Sequence, residues 1–110
     1  MTKLAIKLFG YNNAKTILNR PYNGKSWYMA YDICRLLGIE NYSAAVNKPF
    51  KSKAYTLLPS EYQYKTEFTG AANRRVLMVS ESGVLKLIMQ SDPAFNAEIQ
   101  GRALAILKPL

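Results

Sequence analysis

The sequence contains no histidine, and its 110 residues include a single cysteine, Cys34. A serine or cysteine triad of the usual kind is excluded, because its nucleophile depends on a histidine base. A zinc site is excluded almost as firmly, since one cysteine and no imidazole leave only carboxylates as ligands. A lone cysteine forms no internal disulfide, which is typical of a protein in a reducing cytoplasm.

Acidic residues are scarce as well, with seven Asp and Glu against fifteen Lys and Arg. The seven are scattered, without the close pair that general acid–base catalysis requires. The six glycines stand singly, so none belongs to a Gly-rich phosphate-binding loop. We therefore expect no enzymatic activity, no catalytic residue, no metal and no cofactor.

The chain has no long apolar run, and its start, Met-Thr-Lys-Leu-Ala-Ile-Lys, does not resemble an export signal. We expect no association with a membrane and a cytoplasmic location. No linker, repeat or low-complexity tract divides the sequence. With 49% hydrophobic residues it can bury one core without staples, so we expect a single domain over residues 1–110.

Positive charge is what the chain has in excess, with a formal net charge of +8. Such a surface attracts nucleic acid, anionic membranes or an acidic protein partner. The alternative is that the excess charge merely prevents self-association. Charge alone does not choose between these interpretations.

The first thirty residues predict a three-stranded antiparallel arrangement. Apolar and polar residues alternate along 4–8, the period of a strand with one buried face, and 15–20 predicts a second strand. Asn23 and Gly24 supply a tight hairpin turn because both tolerate positive φ. The third strand follows over 26–29, where Trp27 is expected to anchor the sheet to the helices.

Two short helices are expected after this sheet. Apolar residues at i, i+3 and i+4, with Cys34 among them as a small core residue, predict the first helix, and Gly38 is placed to end it. Asn41 or Ser43 caps the second, which Pro49 ends. The pair resembles a helix-turn-helix in outline.

The rest of the chain predicts strands followed by helices. Strands are expected over 54–58, where Pro59 ends the first, and over 62–68 and 76–79, with a turn at 70–73. Ser80 caps the next helix, in which Gly83 permits close packing against the sheet. Asp92-Pro93 starts the last helix. Its expected apolar stripe is Phe95, Ile99, Ala103 and Ile106, with Glu98 and Arg102 paired on a wetter flank.

These elements predict an α+β domain, in which a small, mainly antiparallel sheet packs with short helices and a C-terminal helix. Its candidate binding residues are the basic side chains between 48 and 75, where aromatic rings are interspersed: Lys48, Lys51, Lys53, Lys65, Arg74 and Arg75. This combination suits a loop or hairpin that faces nucleic acid or a partner protein. Equally, lysines on a solvated hairpin protect its edges from aggregation.

Three segments carry a family resemblance. They read Trp-Tyr-Met-Ala-Tyr-Asp-Ile-Cys over 27–34 with Leu-Gly at 37–38, Asn-Tyr-Ser-Ala-Ala-Val over 41–46, and Ser-Glu-Ser-Gly-Val-Leu over 80–85. In this order and spacing the chain resembles the Bro-N domain, the N-terminal domain of the baculovirus-repeated-ORF family that is found in many phage antirepressors. The family's usual second tryptophan, after Phe95, is missing here. The sequence ends Ile-Leu-Lys-Pro-Leu, unlike the family's usual ending, which puts partner specificity in doubt.

The resemblance implies a phage or prophage regulatory module in the cytoplasm of a bacterial host. It would bind a repressor protein stoichiometrically and so relieve repression of the lytic switch. The alternative is a transcriptional regulator that binds DNA directly through its basic surface. Homo-oligomerisation is compatible with both, and Leu104, Leu107 and Leu110 are candidates for that contact.

Overall fold

The computed structural model describes residues 2–69 and 72–107, except for the side chains of 67–69 and 72–73. Its strands are β1 (Asn19–Tyr22), β2 (Lys25–Met29), β3 (Tyr62–Thr69) and β4 (Ala72–Ser80). Its α-helices are α1 (Lys3–Phe9), α2 (Tyr11–Ala14), α3 (Ala30–Leu37), α4 (Tyr42–Asn47), α5 (Glu81–Gln90) and α6 (Pro93–Leu107). The strands form one antiparallel sheet in the order β1-β2-β4-β3, which confirms the predicted α+β class.

The sheet has two unlike faces. On the helix face, Tyr28 of β2 lies opposite Val79 of β4, and both belong to the main core with residues of the helices. On the open face, Trp27, Val76 and Met78 form a separate small cluster. The expectation that Trp27 joins sheet to helices was therefore wrong. Neighbouring strand residues point to opposite faces, and it is Tyr28 that occupies the helix side.

The first predicted strand was wrong, because residues 3–9 form α1. Thr2 accepts a hydrogen bond from the backbone N–H of Ala5 and caps this helix. Its buried residues, Ala5, Leu8 and Phe9, follow the i, i+3, i+4 spacing of a helix face. Phe9 and the cap together outweigh the short alternation that suggested a strand.

The second predicted strand was mostly wrong as well. The first residues of the predicted strand form a turn after α2 instead. In this turn the N–H groups of Thr16 and Ile17 donate to the carbonyls of Asn13 and Ala14, respectively. Only Asn19 and Arg20 of 15–20 enter β1. The hairpin turn at Asn23 and Gly24 is confirmed: both have positive φ, 50° and 75°, between strands β1 and β2.

The helices α3 and α4 are confirmed, and α4 ends at Asn47, two residues before Pro49. Gly38 ends α3 in the left-handed conformation at φ 77°, and its N–H donates to the Arg35 carbonyl in the last turn of the helix. Asn41, rather than Ser43, caps α4 by accepting from the N–H of Ala44 at 3.0 Å. Cys34 is buried in the main core, as predicted.

Residues 54–58 were wrongly predicted as a strand. They overlap a 3-10 turn at Lys53–Tyr55, and a second one follows at Pro59–Glu61. The Thr56 hydroxyl accepts from the N–H of Phe50 at 2.9 Å, and this side chain closes the loop on itself instead of pairing with a strand. The expected strands 62–68 and 76–79 are confirmed within β3 and β4, whereas the turn predicted at 70–73 includes residues outside the described part.

The C-terminal helices begin as predicted, but α6 is phased differently. Ser80 caps α5, and Asp92 accepts from the N–H of Ala94 ahead of α6. Asn96 interrupts α6 with φ −125° and donates to the Leu37 carbonyl at 2.9 Å. This kink leaves Phe95 85% exposed, so its place in the apolar stripe was wrong.

Three members of the predicted stripe remain after the kink. Ala103 is buried in the main core, and Ile99 and Ile106 pack against it. Arg102 pairs with Glu98 as expected and also donates to the Leu8 carbonyl, which attaches α6 to α1. Leu104 is exposed, Leu107 packs against the core, and Leu110 lies outside the described residues.

Candidate nucleic-acid interface

The β3–β4 hairpin extends beyond the rest of the sheet. Within the described residues, β2 pairs with β4 only through Met78, Val79 and Ser80, whereas β3 pairs along β4 from Ala72 to Val79. We call the part of the hairpin without a third strand, residues 64–69 and 72–77, the hairpin arm. It is a two-stranded ribbon, the shape that fits the major groove of duplex DNA.

Arg75 and Tyr64 are cross-strand diagonal neighbours on the arm. Both are exposed, and the guanidinium of Arg75 lies over the Tyr64 ring with its carbon 4.6 Å from the ring centroid. Asn47, the last residue of α4, donates to the Tyr64 hydroxyl at 3.4 Å. This chain of contacts brings Lys48, the residue after Asn47, towards the base of the arm.

Lys65 and Arg74 belong to the other side of the ribbon. In the register Lys65 lies opposite Val76 of the open face, and its Nζ lies 3.0 Å from the centroid of the Tyr22 ring. Arg74 is exposed next to Arg75 in β4, so the two arginines point to opposite sides of the arm. The arm therefore presents positive charge on both of its faces.

Lys51 and Lys53 are exposed in the loop after α4, away from the arm. The Lys51 ammonium lies 5.8 Å from the centroid of the Phe50 ring. The loop is attached to α5, since Gln90 donates to the Tyr55 carbonyl at 2.6 Å. The structure thus brings Lys65, Arg74 and Arg75 together on one element, with Lys48 close to its base, and places Lys51 and Lys53 elsewhere. Binding by these six residues stays a prediction.

The helix pair α3 and α4 is a poor candidate for reading DNA. A recognition helix inserts polar and basic side chains into the major groove. Here α4 has only six residues, Tyr-Ser-Ala-Ala-Val-Asn, with no Lys or Arg, and Val46 is buried. Tyr42 instead packs edge-to-face on Tyr31 of α3, with ring centroids 5.7 Å apart. In α3 the basic residue is Arg35, which donates to the Thr16 hydroxyl.

The two strongest sequence motifs meet in space. Tyr28, in the motif over 27–38, donates to the Glu81 carboxylate of the motif over 80–85 at 3.4 Å, and its hydroxyl also shares a 2.6 Å hydrogen bond with Thr2. A family model described as the BRO family, N-terminal domain, matches residues 13–107. The chain belongs to the BRO family. No curated protein and no solved structure matches it.

Membership in this family indicates a regulatory protein of the phage and BRO type. The motifs that identify the Bro-N domain are mostly structural here. They supply β2, α3 and the start of α5, which form the centre of the core. Among the residues outside the motifs, the arm carries the exposed Arg74 and Arg75.

The open face holds one basic and one aromatic residue, Arg20 and Tyr22, that the sequence alone did not indicate. Arg20 and Tyr22 of β1 line a cavity there with Trp27, Lys65 and Met78. The signal was present in the sequence as Arg and Tyr at alternate positions of a hairpin strand. It could not be used, because the strand was assigned four residues too early and nothing linked it to Lys65, more than forty positions away.

A buried ion pair supports the base of β3. Glu61 accepts from Lys86 of α5 at 2.7 Å and from the N–H of Leu58 at 2.7 Å. Burial acts to raise the pKa of Glu61, but the hydrogen bonds from Leu58 and Lys86 outweigh it and hold that pKa below its usual value. This pair joins the hairpin to the helix layer.

The remaining buried reactive groups of the Bro-N domain are chemically quiet. Burial raises the pKa of the Cys34 thiol to about 12, so it stays protonated and unreactive. Burial also raises the pKa of Tyr28. Across residues 2–69 and 72–107, no three Cys, Asp or Glu side chains come together to hold a metal, and no helix is long and apolar enough to cross a membrane.

Proposed function

We propose that this Bro-N domain is the DNA-binding module of a transcriptional regulator and that the hairpin arm is its DNA-contacting element. The observation that carries the proposal is the collection of Lys65, Arg74 and Arg75 on a projecting two-stranded ribbon. On the described part of the arm no carboxylate pairs with Arg74 or Arg75. Phosphate oxygens are the natural partners of such a surface.

The geometry of Arg75 adds a specific reason. The contact with the Tyr64 ring restrains the Arg75 guanidinium, whose N–H groups remain available as donors. A fixed guanidinium can bind a phosphate or a guanine edge through two hydrogen bonds. Asn47 in turn holds the Tyr64 hydroxyl, so the support reaches back to α4.

The test is a titration of labelled duplex DNA with the protein, followed by fluorescence anisotropy. The double variant Arg74→Glu, Arg75→Glu should lose at least about a hundredfold in affinity, because two phosphate contacts become repulsions. The matched control is Lys3→Glu, Lys7→Glu, which makes the same change in net charge at two exposed residues of α1. It should lose much less affinity for the duplex than the arm variant, because only the overall charge of the protein changes.

Equal losses in the two double variants would show that only net charge matters and would remove the arm from the proposal. Both variants should keep the melting temperature of the parent within a few degrees, since all four side chains are exposed. The melting curves therefore separate a loss of binding from a loss of fold.

A second candidate function is binding of a repressor protein, as in an antirepressor. The observation that favours it is the exposure of two large apolar side chains on α6, Phe95 at 85% and Leu104 at 45%. Buried aromatic anchors dominate the energy of protein interfaces. The two functions separate in one assay: Phe95→Ala should weaken capture of a purified repressor from the same virus and leave duplex binding unchanged.

Capture that is insensitive to Phe95→Ala would count against this helix surface as the contact. Capture that is lost in Arg74→Glu, Arg75→Glu would instead assign repressor binding to the arm. In either case the reaction is stoichiometric, so repression should be relieved in proportion to the amount of bound repressor.

A further inference from the structure

The open face contains a cavity of about 240 Å³ that no helix covers. Trp27 and Met78 form its floor, and Arg20, Tyr22 and Lys65 stand around it. A water molecule occupies about 30 Å³ of liquid, so the space exceeds what a single solvent molecule fills. It can receive a group of several heavy atoms.

Two buried hydrogen-bond donors on this face lack an acceptor. Across the described residues, the buried side-chain nitrogen or oxygen atoms without a partner are Trp27 Nε1 and Gln63 Nε2. Gln63 lies opposite Met78 in the register, and Trp27 is two residues before Met29, which also lies opposite Met78. Both donors therefore belong to the open face. Leaving a buried N–H unpaired is costly, so an acceptor that reaches this face is favoured.

Lys65 brings positive charge to the cavity. The Lys65 ammonium lies over the Tyr22 ring, and no acceptor oxygen of the described residues binds it. A cation and N–H donors without acceptors together select an oxyanion.

We infer that the open-face cavity binds a phosphoryl group, with Lys65 as its cationic ligand and Tyr22 as an aromatic surface for the attached nucleoside. The inference rests on the proposed function and deepens it, since it adds a phosphate site that shares Lys65 with the arm that contacts DNA. The phosphoryl group has two possible sources, the backbone of a nucleic acid strand or a free nucleotide.

The only tryptophan of the chain reports directly on this cavity, because Trp27 forms its floor. Intrinsic fluorescence is measured while the protein is titrated with inorganic phosphate, thymidine monophosphate, a short single-stranded oligothymidylate and, as the control without phosphate, thymidine. A saturable change is expected with a phosphate-bearing probe and not with thymidine. Saturation by the mononucleotide indicates a free nucleotide, whereas saturation by the oligonucleotide alone indicates a strand backbone.

The variant Lys65→Gln should weaken this binding at least about tenfold, because a charge-assisted contact is replaced by a neutral one. Lys53→Gln removes an exposed lysine from the distant loop and should leave the affinity unchanged. No saturable change with any phosphate-bearing probe, or equal affinity in Lys65→Gln, would overturn the inference and leave the cavity to solvent.

The two proposals, DNA binding by the arm and phosphate binding by the cavity, can be refuted independently. If the cavity is wrong, the Trp27 signal stays constant while duplex binding still depends on Arg74 and Arg75. If the arm is wrong, the charge-reversed arm variant binds duplex as well as its control does, while the mononucleotide still changes the Trp27 signal.

Discussion

The two faces of the sheet are packed differently. The helix face buries Tyr28 and Val79 under α3 and α5, and the polar tip of Tyr28 is satisfied by Thr2 and Glu81. Among the described residues, the open face packs Trp27 and Met78 against Val76 in a small cluster and has two buried N–H groups without partners. Closed packing with satisfied polar groups indicates a structural role, whereas an incompletely satisfied face supports a binding role.

The largest effect on stability is expected on the helix face of the sheet, at Gly83. A Cβ at this position would lie 2.9 Å from the Glu61 carbonyl oxygen and 3.1 Å from the Val79 Cβ. Gly83→Ala should therefore destabilise the fold by about 1–3 kcal/mol through overpacking. Urea unfolding measures the change.

Gly101 provides the matched control. It lies in α6 with no atom within 4 Å of an added Cβ. Gly101→Ala should stabilise the fold by about 0.4–1 kcal/mol, because alanine restricts the unfolded chain and favours the helix. Equal and small effects at the two glycines would show that α5 is not packed closely on the hairpin.

The next effect concerns the Glu61–Lys86 pair and depends on pH. The pKa of Glu61 is lowered in the folded state, so the folded protein keeps this carboxylate ionised where the unfolded chain begins to protonate it. Its stabilisation is fully present above the ordinary value of 4.5 and is lost as the pH falls through the lowered pKa. Urea unfolding at a series of acidic pH values should show a steeper loss of stability in the parent than in Glu61→Gln.

Parallel pH profiles for the two proteins would contradict this assignment. Lys86→Met is the complementary variant, because it removes the ammonium that lowers the pKa and leaves the hydrogen bond from Leu58. It should make the loss of stability in acid less steep than in the parent, to a value between those of the parent and Glu61→Gln.

The smallest effect on stability is expected on the open face. Lys65 is a half-buried surface residue, so Lys65→Gln should change the free energy of unfolding by less than about 0.5 kcal/mol. The same variant is expected to weaken phosphate binding. A large loss of stability would show that the contact with the Tyr22 ring is structural, and it would remove the contrast between the two faces.

The sequence predicted the elements that local chemistry determines. Asn23-Gly24, Gly38, Asn41 and Ser80 each perform the expected turn or cap, because positive φ and N-capping depend on one or two residues. The strand predicted over residues 4–8 was wrong, because a five-residue alternation also fits a helix once Thr2 and Phe9 are considered. Short apolar runs do not distinguish the two periods.

Tertiary contacts explain the other differences. Phe95 left the predicted stripe because Asn96 interrupts α6 to reach the Leu37 carbonyl, a partner fifty-nine residues away. The face occupied by Trp27 depends on the register of β2 with β4, which local patterns do not specify. For the site, composition indicated the basic residues between 48 and 75, but only the fold separates Lys51 and Lys53 from the arm and brings Arg20 and Tyr22 beside Lys65.

The most direct measurement is the salt dependence of duplex binding by the parent protein and by Arg74→Gln, Arg75→Gln. Each phosphate contact contributes about 0.9 to the slope of log affinity against log salt concentration, so loss of two contacts should reduce the slope by about 1.8. This reduction is the result that we expect if the arm contacts DNA. An unchanged slope, at whatever affinity, would contradict that role and would direct the search to a protein partner.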